Sequence, residues 1–97
     1  MERAEIKERE HLDRQAQQLL DTQVEQIQAA GGRVTQSYLR AGRPDKEIVA
    51  LAEELGARLI MLGSRGRGGV RRALMGSVSD SVVRHAHCPV MVVRQEE

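Results

Sequence analysis

The run Leu59-Ile60-Met61-Leu62, bounded by Arg58 and Gly63, constrains this 97-residue chain more than any other feature. Four apolar residues without polar alternation read as a fully buried parallel strand. A parallel strand needs a crossover connection to its neighbour, usually a helix. Residues 77–86 supply one, with Val78, Val82 and Val83 facing the sheet and Ser77 and Asp80 in the S-x-x-D spacing of a capping box. Pro89 then opens a last apolar strand, Val90–Val93. Upstream, Ile48, Leu51, Ala52 and Leu55 recur at helical spacing. Pro44 lies in the first turn with Asp45 and Glu47, and Gly56 closes the helix. Before it, residues 34–39 read as a strand, carried by Val34, Thr35 and Tyr38. Residues 8–30 form an amphipathic helix with Leu12, Ala16, Leu19, Leu20, Val24 and Ile27 on one stripe, ended by Gly31 and Gly32. Helix and strand alternate three times, which predicts one α/β domain over residues 1–97 with an open parallel sheet of three strands and three helices.

Between the two apolar runs lies Gly63-Ser64-Arg65-Gly66-Arg67-Gly68-Gly69-Val70-Arg71-Arg72-Ala73-Leu74-Met75-Gly76-Ser77. The segment leaves the carboxyl end of a strand, where open α/β sheets place their ligands. Glycines let backbone N–H groups approach an anion closely, and the following helix N-terminus favours negative charge. Donors at Gly63 and Gly66 on one side, and at Gly76 and Ser77 on the other, would embrace a polyphosphate. Arg65 and Arg67 would add charge-assisted contacts. A plain glycine turn before a capped helix has the same composition, so these residues alone leave both readings open. Two familiar phosphate loops are excluded. Gly68 is followed by Gly69 and Val70 where a Walker A loop needs Lys and Ser or Thr, and Arg71 stands where the third Rossmann glycine belongs.

The spacing Gly63-x2-Gly66-x9-Gly76-Ser77 resembles the signature of the ATP-binding universal stress proteins. The stretches Leu59-Ile60-Met61-Leu62-Gly63-Ser64-Arg65-Gly66 and Val83-Arg84-His85-Ala86-His87-Cys88-Pro89-Val90-Met91-Val92-Val93 also look like that family, as does Gly42-x-Pro44 ahead of a helix with Ile48 and Ala52. The resemblance covers residues 10–94, the C-terminal two-thirds of the family pattern. It implies a partial Rossmann-like, adenine nucleotide alpha hydrolase-like fold. By the same resemblance Leu62, Gly63, Ser64, Arg65 and Gly66, with Gly76, Ser77, Val78 and Ser79, contact the phosphates and ribose of ATP. The family's first strand with its adenine-side Asp, the first helix and the second strand have no counterpart here. Weaker ATP binding follows as an expectation, and residues 34–39 and 59–62 would not be sheet neighbours. The family also implies a homodimer through the final strand, Val90–Val93, whose apolar edge invites pairing.

Smaller signals narrow the function. Tyr38 is the only aromatic and the formal net charge is +1, which argues against nucleic acid despite the arginines at 65, 67, 71, 72 and 84. His85-x-His87-Cys88 suits a helix end and turn better than a metal site, and Cys88 is the only cysteine. No apolar run could cross a bilayer and no signal sequence is visible, so a cytoplasmic chain is expected. No catalytic constellation stands out. The leading expectation is an ATP-binding stress-response regulator without a dedicated enzymatic activity and without a protein-bound metal. The alternative is a dimeric scaffold that has lost nucleotide binding.

Overall fold

Gly31 and Gly56 punctuate the chain by the same backbone device. In the computed structural model, which describes residues 2–63 and 76–94, these glycines have φ of +92° and +63° and end two helices. At the first, the Gly31 N–H donates to the Gln28 carbonyl at 3.0 Å and the Gly32 N–H to the Ile27 carbonyl at 2.8 Å. At the second, Gly56 donates to Glu53 at 3.1 Å and Ala57 to Ala52 at 2.9 Å. Both are Schellman closures, which satisfy carbonyls that a helix end would otherwise orphan.

The chain forms two compact units, Met1–Arg40 and Ala41–Glu97. The first holds helix α1, Glu2–Ala29. It starts six residues earlier than the apolar stripe indicates, because residues 2–7 contain no Gly or Pro and several strong helix formers. Its stripe is only partly covered: Leu12, Leu19 and Ile27 are exposed, while Ala16, Leu20 and Val24 are half-buried. Residues 34–39 do not form the expected strand. A strand exists by pairing, and no described residue offers this segment a ladder.

The second unit runs α2 (Pro44–Leu55), β1 (Ile60–Gly63), α3 (Ser77–His85) and β2 (Val90–Val93). β1 and β2 pair in parallel, Ile60 opposite Val90 and Gly63 opposite Val93, so the described sheet has two strands where three were expected. Ile60 is buried at its centre with Ala52 of α2 and Val82 of α3, and Leu62, Val78 and Val90 pack around them. Val82 is wholly buried, worth about 1.5–3 kcal/mol by area. Both helices thus meet one face of the sheet. The opposite face shows Met61, Met91 and Val93, with Met61 at 61% exposure. The expectation of a fully buried β1 therefore fails: side chains alternate across a strand, and helices cover one side only among the described residues. Leu55 and Val83, both assigned to buried helix faces by spacing, are exposed.

Candidate functional site

Ser79 is 4% exposed, a buried polar residue in the first turn of α3. Its hydroxyl donates to the carbonyl of Gly63, the last residue of β1, at 2.9 Å. That bond brings together the two halves of the glycine signature that are sixteen residues apart. Leu62 and Gly63 end the strand, while Gly76, Ser77, Val78 and Ser79 begin the helix beside them. Ser64, Arg65, Gly66 and Arg67 lie outside the described residues.

Gly76, not Ser77, is the N-cap of α3. Its carbonyl accepts the Asp80 N–H at 2.9 Å, the first bond of the helical ladder. The capping box expected of Ser77 and Asp80 does not form: Ser77 is already helical, no side chain caps this end, and Asp80 pairs with Arg84 at 3.2 Å. A glycine N-cap leaves the N–H groups of Gly76, Ser77, Val78 and Ser79 without intrahelical acceptors, and it puts the positive end of the helix dipole beside β1. Such an end can take a phosphate. Gly76 has φ of −70°, which any residue adopts, so glycine contributes absence of a Cβ rather than an unusual backbone.

A second polar cluster joins α2 to α3, and the sequence offered no signal for it because its members are 36 residues apart. The Ser81 hydroxyl donates to Asp45 Oδ2 at 2.8 Å, and Arg43 approaches the same oxygen at 3.3 Å. His85 Nδ1–H donates to the Ser81 carbonyl at 2.8 Å. The Ser81 hydroxyl, with smaller help from the Lys46 amide and Arg43, holds the Asp45 carboxyl below its ordinary range against partial desolvation. An open cleft of about 380 Å³ lies beside it, floored by Val49 and Ala50 and edged by Lys46 and Glu53. Ser, His and Asp are all present, yet their bonds run the wrong way for nucleophilic catalysis. The serine proton points to the carboxylate, and the imidazole Nδ1–H to a backbone carbonyl, so the imidazole takes no proton from the serine. His87 Nε2–H donates elsewhere, to Ala57 at 3.1 Å. Among the described residues no three His, Cys, Asp or Glu side chains gather to hold a metal, and no helix is long and apolar enough to cross a membrane.

The family model for universal stress proteins matches residues 1–94. The chain belongs to the universal stress protein family. Two relatives named as universal stress proteins, from Staphylococcus aureus strains USA300 and NCTC 8325, are each 45% identical over 84 residues. That alignment takes in 84% of this chain and 50% of each relative, so the chain spans half their length. The solved structure of hypothetical protein MJ0577 resembles this one with a TM-score of 0.83 and 28% identity, over 99% of this chain and 66% of that one. The α/β class with a parallel open sheet follows from the same comparison.

Proposed function

We propose that this stress-response protein binds ATP chiefly through its phosphates, held between the end of β1 and the first turn of α3. The observation that carries this reading is the Ser79–Gly63 bond, which sets the strand end against a glycine-capped helix N-terminus. Leu62 and Gly63 line one side. Gly76, Ser77, Val78 and Ser79 present backbone donors on the other, and Ser64, Arg65, Gly66 and Arg67 complete the grip through the signature spacing. The role is regulatory, in the cytoplasm, as a dimer joined through Val90–Val93, and requires no metal from the protein side chains.

Phosphate contacts depend on backbone donors, whereas adenine recognition needs groups elsewhere in the family fold. Calorimetric titration therefore should show ATP and inorganic tripolyphosphate binding within about threefold of each other, with AMP at least about tenfold weaker. Negligible heat from all three would remove the nucleotide reading. It would leave a dimeric scaffold, which the exposed Met61, Met91 and Val93 face favours as a surface for other polypeptide.

A further inference from the structure

The family resemblance groups Ser79 with residues that contact the nucleotide, but its hydroxyl already has a protein partner. It is spent on the Gly63 carbonyl at 2.9 Å, from a residue that is itself only 4% exposed. A serine within a helix ordinarily bonds back to a carbonyl of the preceding turn. Ser79 instead crosses to another element, from the third residue of α3 to the last residue of β1. We infer that Ser79 is a positioning residue, whose hydroxyl holds the end of β1 and the first turn of α3 at one separation and thereby sets the anion affinity of the site.

Phosphate held by backbone amides from two elements requires those amides to converge, and ordering them on binding costs affinity unless they are already placed. Apolar packing around Val82 and Ile60 holds α3 against the sheet, but the hydrophobic effect is non-directional. The Ser79–Gly63 hydrogen bond is part-buried and directional, so it adds an orientation-specific restraint that apolar packing lacks. Ser79 can still offer its own backbone N–H to a phosphate, since the residue at this helical position has no intrahelical acceptor. The hydroxyl and the amide of one residue thus serve different ends.

This inference rests on the phosphate-binding reading above, and the test separates the two. Ser79→Ala removes the hydroxyl, while Ser79→Thr keeps it. In the free protein, ¹⁵N order parameters at Gly63 and Ser77 should fall in Ser79→Ala and return to wild-type values in Ser79→Thr. In titrations with ATP and inorganic tripolyphosphate, Ser79→Ala should lose about tenfold in affinity and Ser79→Thr less than about threefold, at a temperature where all three proteins are fully folded. A purely structural role would lower the melting midpoint of Ser79→Ala and leave the affinity of the folded protein unchanged. That outcome, or unchanged order parameters, overturns the inference. A wild-type protein that binds neither probe sinks the nucleotide reading instead, and the order parameters alone then decide whether the hydroxyl holds the two elements together.

Discussion

At Asp45, one carboxylate oxygen takes the Ser81 hydroxyl at 2.8 Å and the Arg43 guanidinium at 3.3 Å. Sequence spacing explains Asp45 as a negative charge in the first turn of a helix, which is correct and incomplete. The longer-range bond makes it a clasp between α2 and α3. Because these contacts lower the folded pKa of Asp45 below its ordinary 3.8, the clasp contributes stability above that pH. The contribution disappears as acid protonates the carboxylate, with the loss falling below about pH 3.8. Ser81→Ala takes away the largest cause of the lowered pKa. Urea unfolding from about pH 6 to about pH 2 should therefore show a shallower acid decline for Ser81→Ala than for wild type. Parallel declines would show that the hydroxyl does not hold the carboxylate in solution. Ser79 presents the complementary case at this scale: the residue is legible as part of a motif, but which of its groups does what emerges only when its partner, Gly63, is seen.

Elements follow the local code wherever the code is complete. α2 begins at Pro44 and ends before Gly56, and β2 occupies Val90–Val93, as spacing and punctuation predict. Glycine does two different jobs at these boundaries, and substitution separates them. Gly56 sits at φ +63°, so Gly56→Ala should cost about 1–2 kcal/mol in left-handed strain, read as a lowered unfolding midpoint. Gly76 has φ −70°, so Gly76→Ala should keep the fold within about 1 kcal/mol while weakening tripolyphosphate binding at least about tenfold. If both variants lose stability alike and bind alike, the two glycines are not distinguished by role. The features that the sequence misjudged have separate causes. Residues 34–39 have strand-forming side chains but no ladder partner among the described residues, and propensity carries no information about a neighbour. The capping box failed at Ser77 because the helix begins one residue earlier than the motif assumes, at a glycine that needs no side chain to serve as N-cap.

At the scale of the whole molecule, the telling feature among the described residues is a two-stranded parallel sheet with α2 and α3 on one face and Met61, Met91 and Val93 on the other. Parallel sheets are ordinarily covered on both faces. The proposed dimer uses β2, whose outer edge and exposed Val93 lie at one margin of this sheet. Light scattering coupled to size-exclusion should give twice the chain mass for wild type. Val93→Glu should give a monomer, because an isologous contact brings the new carboxylate close to its own copy. A wild-type monomer would remove the dimer from the proposal. What the amino-acid sequence determined by itself was local and periodic: the presence of the three helices, the bounds of α2, the two paired strands, the glycine spacing and, through that spacing, the family. These are encoded within a few residues of one another, where backbone sterics, capping and hydrophobic period act. The tertiary structure alone decided which strands have partners and which face of β1 is covered. It also decided where the hydroxyls of Ser79 and Ser81 are spent, on Gly63 and Asp45. Those outcomes depend on groups sixteen and 36 residues away, and no local propensity reports on a partner that only folding brings into contact.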